Sequence, residues 1–337
     1  MKNCKVSVII PVYNNTLLLR RIIEAFLLQK TDDFTFELII IDDASHDNPA
    51  RIVSDYSEEK IIFIRNQKNK GPAFCRNQGL NISSGEIIIF SDGDVVPAPN
   101  FIREHLKSHT LYSQKEIAVL GNVKYPLDVK VTPLMRLGNA VETWSILNSS
   151  VKGFYDWTYF RTGNISLKKA FIGDLRFDEQ TFKGIGFEDT EMGWRLSQRG
   201  MKIVYNDKAV SYHYHFRTPE EYLQKVLSYG KALARWTMVM DKKKSMEINR
   251  RYNCLIKEYN IFNLQFVKET FRRIVINDIT AKLIITAARF FETTNERFSY
   301  FLYNKLYKYL LLKGYKSELT QYIKERDNIE KNSDRNY

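Results

Sequence analysis

Two carboxylates one residue apart, Asp92 and Asp94, follow the apolar run Glu86-Ile87-Ile88-Ile89-Phe90. That run reads as a buried strand. Carboxylates at the carboxyl end of a strand suit a hard divalent cation carrying phosphate oxygens. The same spacing also fits a solvated turn, because Asp-x-Asp is common. The context favours chemistry, since three earlier strands also end in Asp- or Asn-bearing loops. A second acidic pair, Glu188-Asp189, opens a helix predicted over Asp189 to Arg199 and stopped by Gly200. A carboxylate there can simply complement the helix N-terminus. The flanking Gly184-Ile185-Gly186-Phe187 loop can instead bring it to a ligand. His213 and His215 follow a strand predicted over Ala209 to Tyr212, and alternation puts both on one face.

The elements that must position these groups alternate in type. Strands are predicted at Val6 to Ile10, Leu38 to Ile41, Ile61 to Ile64 and Glu86 to Phe90. Asn14-Asn15-Thr16 offers capping side chains to a helix over Leu17 to Leu28. Gly71-Pro72-Ala73 opens another helix to about Ile82, with proline in the first turn, where its missing N–H costs little. Continuous apolar strands separated by helices predict an α/β fold with a mostly parallel sheet covered on both faces. Ligands bind such sheets outside the carboxyl ends of the strands. Pro11-Val12-Tyr13-Asn14, Asp42-Asp43 and Asp92-Gly93-Asp94 all fall on that edge. No GxGxxG follows the first strand and no GxxxxGK[ST] occurs, which disfavours a dinucleotide oxidoreductase and a P-loop NTPase.

Order and spacing now carry a resemblance. Val6-Ser7-Val8-Ile9-Ile10-Pro11-Val12-Tyr13-Asn14, Ile41-Asp42-Asp43-Ala44-Ser45, Asn69-Lys70-Gly71-Pro72-Ala73 with Arg76-Asn77, and Asp92-Gly93-Asp94 resemble a family 2 glycosyltransferase of GT-A fold. Gly163-Asn164-Ile165-Ser166-Leu167 and Gly186-Phe187-Glu188-Asp189-Thr190-Glu191 resemble that family's acceptor-side motifs, over roughly residues 4–215 in all. The resemblance implies a nucleotide-sugar donor, with UDP expected and dTDP or GDP open. Pro11, Tyr13 and Asn14 would line the base and ribose. Asp42, with Asp43 beside it, would accept from the base, and Lys70 and Arg76 would lie near the nucleotide. Asp92 and Gly93 would face the ribose or the metal. Asp94 would bind Mn2+ or Mg2+, with Asp92 and His213 as further ligands, since imidazole suits Mn2+. Asp189 would be the general base and Glu188 would orient the acceptor or support Asp189. The implied reaction is inverting transfer of a hexosyl group to a glycan or glycolipid hydroxyl, in the building of a surface polysaccharide or glycoconjugate. Packing for Tyr13, helix capping for Asp43, a surface ion pair for Arg76 and an ordinary hydrogen bond for His213 are the bland alternatives.

Composition sets the bounds. The chain has 337 residues, is 44% hydrophobic, and carries a net charge of +12. Domains are expected at 1–240, with a nucleotide-binding half to 110 and an acceptor-binding half from 111, and at 241–337. Cys4, Cys75 and Cys254 are odd in number and far apart, which predicts a reducing compartment and no zinc site. A strand that starts almost at once leaves no room for a signal peptide, and no run of about 18–20 apolar residues predicts a membrane span. A cytoplasmic protein is expected, with a peripheral position on the inner membrane face as an option.

From Asp241 onward there are 20 Lys/Arg against 12 Asp/Glu, about two thirds of the excess charge. Tyr303, Leu306, Tyr307, Leu310 and Leu311 share a helical face opposite Lys305, Lys308 and Lys316. That face suits an anionic bilayer, or packing on the catalytic domain or a second subunit. With no RRM, KH or zinc-knuckle signature, no nucleic acid is expected as partner. A non-catalytic nucleotide- or anionic-surface-binding protein is the rival reading. The retention of Asp92, Asp94 and Asp189 together argues against it.

Overall fold

The first strand, β1 (Cys4–Val12), is buried from Val6 to Ile10 because it lies inside a sheet, paired in parallel with β2 (Phe34–Asp42) on one side and β4 (Ile87–Ser91) on the other. The structure, a computed structural model, describes residues 4–31, 33–56, 60–126, 128–141, 153–182, 184, 186–214, 218–240 and 278–333. β3 (Ile61–Arg65) pairs with β2, and among the described residues the sheet has eight strands in the order β3-β2-β1-β4-β7-β6-β8-β5. β5 is Val95–Pro97, β6 Ile117–Lys124, β7 Asn164–Lys168 and β8 Lys202–His213. β7 runs antiparallel to both neighbours and β5 runs antiparallel to β8, while the rest are parallel. The predicted mostly parallel sheet is therefore present. β8 begins seven residues before the predicted Ala209, because Lys202 to Tyr205 pair with Ile117 to Leu120 of β6.

Helices cover the sheet. α1 (Thr16–Leu27) buries Leu19, Ile22, Ile23 and Phe26. α2 (Pro49–Val53), α3 (Pro72–Ile82) and α4 (Phe101–Leu111) follow. α5 (Pro133–Val141), α6 (Lys169–Ile172) and α7 (Glu188–Gln198) come next, and the chain ends in α8 (Pro219–Val239), α9 (Asp278–Thr294) and α10 (Glu296–Ser333). The capping expected of Asn15 is absent: its amide reaches Gly93 O at 2.7 Å, and Asp47 Oδ2 accepts from Thr16 N at 2.8 Å instead. A tertiary contact has displaced the local one, and the orphan amide of the first turn is satisfied from a neighbouring loop.

Two compact units divide the chain, one within Met1–Lys130, Glu142–Gly184 and Glu188–Phe216, the other within Val131–Val141, Ile185–Phe187 and Arg217–Tyr337. The second unit thus includes α8, which the sequence grouped with the first 240 residues. α8 carries a full capping box between Thr218 and Glu221, with Pro219 in its first turn. α10 packs along it: Thr237 Oγ1 and Tyr315 Oη lie 2.9 Å apart, and Tyr303, Leu306 and Leu311 are buried. The apolar face noted in the sequence is therefore used inside this unit. Among the described residues, no helix is long and apolar enough to cross a membrane. Cys4 and Cys75 are free and buried. Cys254, His215 and the lysine run at 242–244 lie outside the described residues.

Candidate active site

β1, β2 and β4 end side by side, so their following loops meet at one edge of the first unit. They are stitched by backbone and amide bonds. Asp43 N donates to Val12 O at 2.9 Å, Asn14 N donates to Ser45 Oγ at 2.9 Å, and His46 N donates to Asn14 Oδ1 at 2.8 Å. Asn14 and Ala44 sit at φ +49° and +63°, turning the chain sharply at both strand ends. Gly93 is required where it stands: a Cβ there would lie 2.9 Å from Pro11 O, a backbone atom.

Asp42 is fully buried, and Ser45 N donates to its Oδ1 at 2.9 Å. Arg65 comes within 3.3 Å of Oδ2, close enough for charge pairing but not aligned for a hydrogen bond, so that buried oxygen lacks a donor among the described residues. Asp43 works differently. Its oxygens accept from Asn66 Nδ2 at 2.9 Å, Lys70 N at 2.9 Å and Gly71 N at 2.7 Å. It therefore holds the loop that enters α3. The Lys70 side chain lies over the Phe74 ring at 3.9 Å, and Tyr13 is half exposed at the rim.

Arg76, on α3, is 4% exposed and carries the two halves of the edge together. Its Nη2 donates to Asp92 Oδ1 at 2.9 Å and its Nη1 donates to Glu188 Oε1 at 3.0 Å. Burial pushes the Asp92 carboxyl above its usual range; Arg76 opposes that shift and the Asp94 charge adds to it. The short pairing of β5 with β8 sets Val95 opposite His213, and Tyr214 N donates to Asp94 O at 2.9 Å. Asp94 Oδ2 and His213 Nε2 consequently lie 3.3 Å apart.

At the start of α7, Asp189 Oδ1 accepts from Thr190 N at 2.6 Å and from Thr190 Oγ1 at 3.0 Å. Arg161 donates to Thr190 Oγ1 at 2.7 Å and lies 3.8 Å from Asp189 Oδ2. These contacts fix the carboxylate's direction. Neither Arg161 nor Thr190 was singled out from sequence. Thr190 follows the acidic pair directly, and Arg161 stands three residues before Asn164 of the Gly163-Asn164 motif, too generic a signal to stand out. The residue before the pair, Phe187, has φ +64°, and its ring meets those of Tyr229 and Trp236 in the second unit.

Four carboxylates, Asp92, Asp94, Glu188 and Asp189, thus share one neighbourhood with two guanidiniums, Arg76 and Arg161. The residual charge of about −2 and the Asp94–His213 pair fit a divalent cation by donor type. Among the described residues, no three His, Cys, Asp or Glu side chains gather closely enough to hold a metal unaided.

Residues 7–163 match the family model described as Glycosyl transferase family 2. Over 253 residues it is 26% identical to the uncharacterized glycosyltransferase YfnE of Bacillus subtilis, covering 62% of this chain and 64% of that one. It is 27% identical over 242 residues to a chondroitin synthase of Pasteurella multocida, covering 63% of this chain and 25% of the synthase. The chain therefore spans less than two thirds of the length of these curated relatives. The mannosyltransferase PcManGT from Pyrobaculum calidifontis, solved with GDP-Man and Mn2+, superposes with a TM-score of 0.60 at 15% identity, covering 93% of this chain and 87% of that one. The shared architecture is the GT-A glycosyltransferase fold.

Proposed function

We propose that this chain is an inverting glycosyltransferase that moves a hexosyl group from a nucleotide-diphosphate sugar to a hydroxyl of a glycan or glycolipid. The observation that carries the proposal is the convergence of Asp92, Asp94, His213, Glu188 and Asp189 around Arg76 at the carboxyl edge of the sheet. Pro11, Tyr13 and Asn14 line the nucleotide side. The Asp42 oxygen that lacks a donor is suited to an N–H of the base. UDP is the proposed nucleotide, although the PcManGT complex holds a guanine nucleotide, so the base is part of the test.

Asp94 and His213, with Asp92 behind them, would hold a divalent cation, Mn2+ before Mg2+. When bound, such an ion supplies charge neutralisation to a diphosphate leaving group. The chain's own residues do the rest. Asp189 takes the proton from the acceptor hydroxyl, whose oxygen bonds to the anomeric carbon as the bond to the diphosphate oxygen breaks on the opposite face. One base and no covalent intermediate give inversion. Thr190 and Arg161 keep the Asp189 carboxylate aimed, and Glu188, bonded to Arg76, supports that helix start. The product glycan or glycoconjugate would be built on the inner membrane face, with the C-terminal lysines, Lys305 and Lys308 among them, facing an anionic surface. Flotation of the full chain on anionic liposomes tests that last part, and failure to float removes it.

The central test is calorimetric binding and hydrolysis across UDP-, GDP- and dTDP-sugars with Mn2+, Mg2+ or EDTA. Metal-dependent binding of one donor, lost in Asp94→Ala, is the expected result. Absence of binding to every donor with every metal would overturn the proposal.

A further inference from the structure

A cation buried as fully as Arg76 is costly unless its hydrogen bonds are met. Its Nη1 and Nη2 are spent on two carboxylates from distant parts of the chain, Glu188 and Asp92, while its Nε has no hydrogen-bond partner among the described residues. Hydrophobic packing alone would not select such a group. The Phe177 ring lies 5.6 Å from the guanidinium carbon, beneath the fork. The next residue, Asn77, clamps the same segment: its Nδ2 donates to Phe177 O at 2.9 Å and its Oδ1 accepts from Phe177 N at 2.8 Å. The fork is therefore held from α3 and cannot follow one carboxylate without leaving the other.

We infer that Arg76 is a positioning residue rather than a nucleotide ligand, and that it locks the donor-side Asp92 and the acceptor-side Glu188 into one shared geometry. This rests on the proposed roles of the Asp92–Asp94 loop and the Glu188–Asp189 helix start. Its consequence is a linkage: a change at Glu188, on the proposed acceptor side, is transmitted to the nucleotide site through this guanidinium. Lysine keeps the charge but offers one ammonium on a flexible stem, so it cannot present two divergent donors in a fixed plane.

The test is a double-mutant cycle read as binding of UDP and of GDP in Mn2+, with melting scans confirming that each variant is folded. Glu188→Gln in the wild-type background is expected to change nucleotide affinity by about threefold or more, the scale of coupling within one hydrogen-bonded network. In the Arg76→Gln background the same change is expected to alter affinity less than twofold. Arg76→Lys, which keeps the charge but not the two-pronged donor, is expected to lose the Glu188 effect. Additive effects in both backgrounds, or a Glu188 effect preserved in Arg76→Lys, would overturn the inference alone. Absence of UDP and GDP binding by the wild-type chain would overturn it together with the proposed function.

Discussion

Gly230→Ala should destabilise the C-terminal helical unit, against the usual effect of that substitution in a helix. Alanine in place of glycine in a helix interior ordinarily gains about 1 kcal/mol. Here the added Cβ would stand 2.0 Å from the Leu311 carbonyl oxygen and 2.8 Å from Tyr315 N, whereas ordinary contact begins near 3.4 Å. The neighbour is the backbone of α10, not the end of a flexible side chain. Relief therefore requires the two helices to part by about 1.4 Å, the difference between those distances. Overpacking of this kind costs about 1–3 kcal/mol, and a rigid neighbour places it toward the upper end. Subtracting the propensity gain leaves a net loss of about 1–2 kcal/mol, or a fall of roughly 2–8 °C in midpoint for a unit of this size. Gly314 faces the same crossing from α10, with its Cβ position 2.1 Å from Leu227 O. Once one alanine has opened the crossing, the second costs less, so the double variant should lose less than the sum. Scanning calorimetry is the assay, with the exposed Ser228→Ala on the same helix as control, expected to gain a few tenths of a kcal/mol. A Gly230→Ala protein at least as stable as that control would refute the argument.

Three further outcomes are expected. Asp189→Asn should lower transfer by about 10²–10⁴-fold while nucleotide affinity stays within twofold; a parallel loss of nucleotide binding would remove the base assignment. Asp43→Ala should free the loop at Lys70 and Gly71, weakening nucleotide binding and costing about 1–3 kcal/mol for the amides left unpaired, as read by urea unfolding. His105 and His109 should make the fold acid-sensitive. They lie in a buried network in which His105 meets Asn164 Oδ1 and Ser166 Oγ at 2.8 Å each, and His109 meets Ser166 Oγ at 2.9 Å. Burial pushes them down to about 4 and about 3, so both stay neutral in the fold. The unfolded chain binds their protons first as pH falls below about 6.5, so stability is full above that pH and is lost on acidification toward the folded values. Each histidine adds about 1.4 kcal/mol per pH unit; His109→Gln should halve that part of the slope between pH 6 and 5 in unfolding measurements, and an unchanged slope would contradict it.

Sequence pattern alone determined the sheet edge and most of what lies on it. Apolar runs such as Val6 to Ile10 can satisfy neither face in water, so they must form central parallel strands, and their polar ends must then share one edge. That brought Asp42, Asp43, Asp92 and Asp94 into one place without coordinates. The helix start at Pro72 was legible because proline is tolerated in the first turn and disfavoured further in. β5, the early part of β8 and α4 were not read, because their pairing and burial come from neighbours far along the chain. Only tertiary structure decided how individual oxygens are used. Asp43 and Asp42 are adjacent and chemically identical, yet one is consumed by the amides of Lys70 and Gly71 and the other keeps a buried oxygen without a donor. Arg76 and Glu188 are separated by 112 positions and meet at 3.0 Å. Side-chain pairing over such separations leaves no local periodicity, since the spacing that creates it is set by packing in three dimensions, not by the order of residues along the chain.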